Sequence, residues 1–248
     1  MKRFLGILDF VLTGKPPWKW RISRGKCPNC GVKLFLSLAP NTFHTRCLGC
    51  RANVPVLAPI KVIQKHMKKY KVKDCWEMST YGATLSFLER TFKNVYKTEY
   101  SAKYKSGQIV NNVRIEDVQN LSFKSNSLDL ITCNGVFEHV YDSSKGFNEC
   151  FRVLRNNGAL IFTVPLFDIP KTKKIAKIVN GEIVFEGEPE FHHSRIEGPY
   201  TIPTFWHYSL QDICDILSEI GFNAEFIDVM ITPSQSSPRK VIYAIKKI

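Results

Sequence analysis

Acidic residues are nearly missing from the first third of this 248-residue chain. Residues 1–73 hold 16 of the 35 lysines and arginines but a single acid, Asp9, whereas residues 74–248 carry a net charge of −2. The overall charge of +13 therefore resides entirely on the N-terminal side. Such a concentration points to an anionic partner, namely nucleic acid, a phosphorylated small molecule or an anionic membrane surface. A solvated basic face without a partner is the plainer alternative. Long apolar runs are missing too. The stretch Phe4–Leu12 is interrupted by Asp9, no small-residue cleavage site follows, and nowhere do ~18 apolar residues run together. Neither a signal peptide nor a transmembrane helix is expected, and a cytoplasmic location follows as an expectation. Phe4, Leu8, Val11 and Leu12 could share one helix face ahead of Trp18 and Trp20. Packing of that face on the main domain is favoured over peripheral membrane contact.

Cysteine is present in two distributions. Cys27, Cys30, Cys47 and Cys50 are spaced C-x2-C-x16-C-x2-C, while Cys75, Cys133, Cys150 and Cys214 are scattered. Two C-x2-C knuckles joined by a returning hairpin turn four thiolates onto one ion, which is the pattern of a structural Zn2+ site with no open position. Pro28, Gly31 and Gly49 suit the tight turns of those knuckles. In a reducing compartment a disulfide pair is disfavoured, and the scattered cysteines read as small buried apolar residues. The chain divides on this basis into a basic and apolar segment (1–24), a zinc ribbon (25–58), a basic linker helix (59–72) and a larger domain (73–248). Pro55 and Pro59 are taken to punctuate the connector, with the helix over 61–73.

From residue 72 onward short apolar runs alternate with segments of helical period, the pattern of a parallel sheet wrapped by helices. Strands are expected at about 73–78, 94–99, 113–117, 128–133, 159–164, 224–229 and 240–245, and helices at about 83–91, 144–154 and 210–220, the last stopped by Gly221. The fold class is thus α/β, a Rossmann-like seven-stranded, mostly parallel sheet with helices on both faces plus the small N-terminal zinc ribbon. Residues 165–204, with five prolines and a lysine-rich piece, break the alternation and read as an insertion over the strand ends, where ligands of such sheets bind.

The first strand and turn read WEMSTYGATLSFLER, an acid, small residues, one glycine and a helix. This resembles the cofactor loop of class I S-adenosylmethionine-dependent methyltransferases, with Ser79, Tyr81 and Ala83 where glycines are usual. Glu99 follows Glu77 by 22 residues, the interval at which an acid accepts from both ribose hydroxyls in dinucleotide-type folds. The run from Ile115 to Pro165 is similar to the second half of small-molecule methyltransferase domains of the type 11 kind. That resemblance implies that Asp117 and Val118 meet the adenine and that LDLITCN, ending at Asn134, with GVFEHV passes the methyl group. It also implies that Asn156-Asn157-Gly158 stands for the usual Pro-Gly turn, with the glycine in a left-handed conformation. With TEY after the second strand and PEFHH beyond the fifth, residues 25–230 resemble bacterial-type methyltransferases that carry an N-terminal zinc ribbon and are associated with sugar or cell-surface polysaccharide metabolism. Where those relatives usually have Tyr-His-Gly-Asp, this chain has Phe191-His192-His193-Ser194.

The cofactors implied are S-adenosyl-L-methionine, held by Glu77, Ser79, Gly82, Glu99, Asp117, Val118 and Asn134, and structural Zn2+ on Cys27, Cys30, Cys47 and Cys50. The reaction implied is methyl transfer to an oxygen or nitrogen of a polar or anionic small molecule. A hydroxyl acceptor needs a base, and His139, His192 and His193 are the candidates. Phe137, Tyr141, Phe167, Tyr200, Phe205 and Trp206 could wall the pocket or belong to the core. An RNA methyltransferase using the basic N-terminal half, or a non-catalytic binding protein on the same fold, remain open as alternatives. The chain lacks the Asn-Pro-Pro-Tyr type of motif that positions an exocyclic base amine.

Overall fold

The structure, a computed structural model, describes residues 20–39, 41–194, 198–233, 235 and 237–247. The apolar face of Phe4, Leu8, Val11 and Leu12, together with Trp18, lies outside the described residues, as do the side chains of His193 and Ser194. The first module is a three-stranded antiparallel sheet of β1 (Arg21–Arg24), β2 (Leu34–Ser37) and β3 (Thr45–Cys47). A helix, α1 (Val54–Lys69), follows directly. It begins several residues earlier than expected because Asn53 caps it, its side chain accepting from the Val56 amide. Pro55 sits in the first turn, where its missing N–H is no loss, and Pro59 is carried inside the helix rather than breaking it.

The larger module runs β4 (Asp74–Glu77), α2 (Ala83–Thr91), β5 (Asn94–Glu99), β6 (Ile109–Val110), β7 (Val113–Ile115) and β8 (Leu128–Asn134). A 3-10 turn at Phe137–His139 leads to α3 (Ser143–Val153) and β9 (Leu154–Thr163). The segment expected to be an insertion is a set of short strands, β10 (Leu166–Phe167), β11 (Lys173–Lys174), β12 (Ala176–Val179), β13 (Glu182–Phe185), β14 (Phe191–Ser194) and β15 (Gly198–Pro203). β16 (Trp206–Ser209), α4 (Ile213–Ile220), β17 (Phe222–Val229) and β18 (Arg239–Lys246) complete the chain.

Eight strands form the central sheet in the order β17-β18-β9-β8-β4-β5-β7-β6. The five middle strands are mutually parallel, and β18 enters antiparallel between β9 and β17. From β4 the chain first moves outward through β5 and β7, then returns across β4 to β8 and β9. The direction of winding reverses between β4 and β8, and a crevice opens at their carboxyl ends. Period-two alternation sorts the strand residues: Cys75, Leu130, Ile161 and Tyr243 face one core, and Trp76, Ile131, Phe162 and Ile242 face the other. Both faces are covered, which is why the strands read as nearly continuous apolar runs.

The two cores differ in what covers them. α3 and α4 pack on the side of Trp76 and Phe162, while α1 and α2 pack on the other together with Phe35, Cys27 and Cys47 of the first module. The helix expected to be a basic linker is therefore a structural layer, with Leu57, Ile60 and Ile63 fully buried. At the amino ends of the strands Arg155 donates to Asp74 at 2.9 Å and to Asp129 at 2.8 Å. One turn departs from expectation. Asn157, not Gly158, adopts the positive φ (64°). Gly158 is needed because a Cβ there would stand 2.9 Å from the Arg155 carbonyl and 3.2 Å from that of Asp129.

Candidate functional site

Glu77 ends β4 with its carboxylate fully enclosed, accepting from the Thr132 hydroxyl of β8 and from Ser79 Oγ at 3.0 Å. Burial pushes its carboxyl up to about 7, against the pull of the two hydroxyls. Ser79 also donates to the Tyr81 carbonyl at 2.9 Å, which folds the loop on itself. Gly82, with φ of 107°, turns the chain into α2, whose N-terminus has no side-chain cap. Amides left over at a helix start are suited to anionic or polar ligand groups.

Glu99 closes β5, and its Oε1 accepts both the Thr80 amide (3.2 Å) and the Thr80 hydroxyl. The loop thus reaches across to the expected ribose-binding acid. Asn134 ends β8 and bridges outward, donating to Thr84 Oγ1 of α2 at 3.2 Å and accepting from Thr163 at 3.1 Å. Glu77, Ser79, Gly82, Glu99 and Asn134 are accordingly brought to one end of the sheet, linked through the loop and the first turn of α2. Asp117 stands apart from that network: its Oδ1 accepts from the Gln119 amide and side chain at 2.9 and 3.0 Å. Val118 is buried and packs beside Phe137 where both flank Gly146.

His139, in the turn after β8, and His192, on β14, meet each other. His139 Nδ1 lies 2.8 Å from the Pro203 carbonyl and His192 Nδ1 lies 3.0 Å from His139 Nε2. Burial holds the His139 imidazole down to about 4, which keeps it neutral and makes it a weaker base than a near-neutral group would be. His193 contributes its backbone to β14, and its side chain lies outside the described residues. Three groups that sequence reasoning did not single out complete the cluster. Glu138 is 2% exposed, with its Oε1 3.8 Å from His139 Nε2 and its Oε2 without a partner. Glu190 contacts His192 Nε2 at 3.4 Å and His207 Nε2 at 2.7 Å, and His207 stacks on Phe167 at 4.0 Å. The only sequence signal was the adjacency of acids and histidines in FEH and PEFHH.

Of the aromatic candidates, Phe137 and Phe205 are buried, and Phe137 stacks on Phe147 at 4.1 Å. Trp206 donates to the Val140 carbonyl at 2.8 Å, and Lys174 caps the Tyr141 ring at 3.5 Å.

In the first module the four cysteine sulfurs all lie within 4.8 Å of one another. Cys27 and Cys50 are 3.7 Å apart and Cys30 and Cys47 3.4 Å, too far for disulfides. A tetrahedron with bonds of ~2.3 Å has edges of roughly 3.8 Å, so the sulfur spacing fits a Zn2+ ion. Gly49 is required there, since a Cβ would come within 2.6 Å of Val32 and 3.0 Å of Cys30 Sγ. Gly31 and Arg51, each just past a knuckle, take positive φ. Cys75, Cys133 and Cys150 are buried, as expected of apolar packing residues, whereas Cys214 is only partly buried. Between the modules is a cleft of about 410 Å³, bordered by Arg46, Arg51, Asn53, Gly82, Ala83 and Ser86.

Residues 79–162, about a third of the chain, match the model of a methyltransferase domain family. This chain carries a methyltransferase domain. The match begins at Ser79 in the loop and ends inside β9, so it spans the crevice and the Glu138–His139 turn. Among solved structures, an S-adenosylmethionine-dependent methyltransferase from Clostridium acetobutylicum is 16% identical with a TM-score of 0.48, covering 77% of this chain and 91% of that one. One from Mesorhizobium loti is 14% identical with a TM-score of 0.48, covering 76% and 97%. The Burkholderia thailandensis 1,6-didemethyltoxoflavin-N1-methyltransferase is 13% identical with a TM-score of 0.49, covering 79% of each chain. A comparison with curated proteins finds no match. No helix among the described residues is long and apolar enough to cross a membrane. The assignment of the methyltransferase domain rests on the family match, and the observed strand order gives the α/β architecture.

Proposed function

We propose that the chain transfers a methyl group from S-adenosyl-L-methionine to an oxygen or nitrogen of a polar small molecule, with sugars and saccharide precursors the first class to test. The observation that carries this reading is the convergence of Glu77, the Thr80 loop, Glu99 and Asn134 at the reversal point of the sheet, all but Glu77 inside the segment that matches the family. The sulfonium supplies an electrophilic methyl group. The residues would act by alignment, which alone can be worth several kcal/mol. Glu99 would accept from the ribose diol, exchanging its bond to Thr80 for two from the ligand. Gly82 and the uncapped start of α2 would receive the polar end of the cofactor, with Ser79 and Glu77 fixing the loop. Asp117 and Val118 would border the adenine.

The four thiolates of Cys27, Cys30, Cys47 and Cys50 would hold a structural Zn2+. In the proposed division, residues 25–58 stabilise the assembly through that ion and residues 59–72 join it to the rest. Residues 73–248 carry the reaction, with 165–204 shaping the acceptor side. A second reading, an RNA acceptor, is favoured by one observation. Arg46 and Arg51 border the cleft that reaches Gly82, where phosphates could be tracked.

The test is transfer of labelled methyl from S-adenosylmethionine to panels of nucleotide sugars, saccharides and RNA. Product with a saccharide, abolished by Glu99→Ala, supports the proposal. Product with RNA alone, declining steeply with salt, moves the assignment to the second reading.

A further inference from the structure

Beside the crevice, three side chains able to ligate a metal converge. His139 Nδ1 faces the Pro203 carbonyl at 2.8 Å. A carbonyl only accepts, so Nδ1 carries the proton and a neutral His139 presents a lone pair on Nε2. His192 Nε2 lies 3.4 Å from the Glu190 carboxylate, and in the tautomer with the proton on Nε2 its Nδ1 presents a lone pair. His192 Nδ1 and His139 Nε2 face each other at 3.0 Å, bridged either by a proton on His192 Nδ1 or by a cation. Glu138 Oε1 is 3.8 Å from His139 Nε2, and its Oε2, in a side chain 2% exposed, has no hydrogen-bond partner. A bound cation would satisfy the two imidazole nitrogens and the Glu138 carboxylate together, whereas a proton on His192 Nδ1 satisfies the two imidazoles alone.

We propose that Glu138, His139 and His192 form a binding site for a divalent transition-metal ion of the zinc class, separate from the four-cysteine site. One ligand atom from each lies within 4.8 Å of the other two. Separations of 3.0 and 3.8 Å bracket the edge of roughly 3.4 Å expected for ligands ~2.1 Å from a tetrahedral ion. Each imidazole has an outer partner on its far nitrogen, Pro203 for His139 and Glu190 for His192. Such partners fix tautomer and ring orientation at metal sites, and Glu190 is itself held by His207 at 2.7 Å. Two nitrogens and one carboxylate suit a zinc-class ion rather than an oxygen-preferring one.

Three protein ligands leave a coordination position open, the arrangement of a catalytic rather than a structural site. Glu138 sits against the turn that ends β8, since a Cβ on Gly135 would stand 3.1 Å from its Oε1. A role for the ion in the reaction rests on the methyl-transfer reading. An acceptor hydroxyl in the open position would lose its proton to solvent more readily than in water. Its oxygen would then donate an electron pair to the methyl carbon as the carbon–sulfur bond breaks, that bonding pair returning to sulfur as the neutral thioether.

The test is metal content and cobalt spectroscopy of the full chain. The protein is stripped with chelator, reloaded with Zn2+ or Co2+, and compared with His139→Ala, His192→Ala and Glu138→Gln, folding being checked by circular dichroism. The expected wild type holds about one equivalent more than each folded variant. Its cobalt form adds visible bands that the variants lose, while the near-ultraviolet thiolate-to-cobalt bands of the cysteine site remain in all. Glu138→Gln preserves shape, so its loss of metal separates ligation from misfolding. Equal metal content and identical cobalt spectra in wild type and Glu138→Gln would overturn the proposal. Titration with S-adenosylmethionine separates the two readings: variants that lose the ion but still bind it leave the methyltransferase reading intact. A wild type that holds the second ion without binding it would retain the metal site and sink the catalytic role.

Discussion

The cysteine cluster and the Glu138–His139–His192 cluster are both convergent sets of ligating side chains, yet they differ in composition, chain separation and consequence. Four like side chains in the first module lie within 24 residues of chain and would saturate a tetrahedron. Three mixed side chains in the second come from the turn after β8 and from β14, 53 residues further on, and would leave a position open. Local, closed sites stabilise; long-range, open sites are available to a substrate.

Breaking the closed site has the largest expected effect. Cys27 and Cys47 belong to the same core as Phe35, Leu57 and Ile161, so losing the proposed ion would loosen one whole face of the sheet. Cys47→Ser should remove the ribbon's zinc and lower stability by several kcal/mol, seen as insoluble protein or a melting temperature down by more than about 10 °C. A variant that melts like wild type would show that the first module is dispensable to the fold.

Breaking the open site should leave the fold nearly intact. His192→Ala removes a half-exposed side chain, for which a change under about 1 kcal/mol is expected, while methyl transfer falls on the order of a hundredfold. Unchanged turnover with the metal lost would confine the ion to a passive role.

A third comparison concerns His66, buried in α1, with Nδ1 2.9 Å from the Tyr243 hydroxyl and Nε2 unpartnered. Burial holds its imidazole down to about 4 against an ordinary 6.5. Its contribution to stability is therefore complete above about pH 6.5 and is lost as the pH falls toward 4. The melting temperature should drop by about 5 °C over that window, and His66→Gln, which keeps a polar partner for Tyr243 without titrating, should flatten the drop. Parallel curves for the two proteins would contradict the assignment.

The smallest effects separate two neighbouring turn residues. Asn157 already adopts a left-handed conformation, so Asn157→Gly should change stability by under about 0.5 kcal/mol. Gly158→Ala should cost about 1–3 kcal/mol because the added methyl meets two backbone carbonyls. Denaturant midpoints for both variants decide this.

The same contrast explains what was legible in the sequence. The expected strand 94–99 and helix 83–91 agree with β5 and α2 to the residue, because apolar period and turn residues are local signals. The cysteine grouping was legible for the same reason. The start of α1 was missed because two prolines within its first six residues read as breakers, although Asn53 and the apolar face they accompany override them. Asp117 and Glu99 carry similar sequence signals, yet Glu99 meets the loop at Thr80 while Asp117 is engaged by Gln119. Glu138, Glu190 and His207 were not singled out as site residues because only the packing of the segment 165–209 against the turn after β8 brings them together, as in the Phe205 amide bond to the Glu138 carbonyl at 2.7 Å. No spacing along the chain encodes that contact.

Calorimetric titration of the zinc-loaded protein with S-adenosylmethionine and with its demethylated product, in wild type and Glu99→Ala, tests the central claim most directly. The account predicts micromolar binding of both ligands by wild type, weakened at least about tenfold in Glu99→Ala, equivalent to ~1.4 kcal/mol. A folded wild type that binds neither ligand, or a Glu99→Ala variant that binds as tightly as wild type, would contradict it.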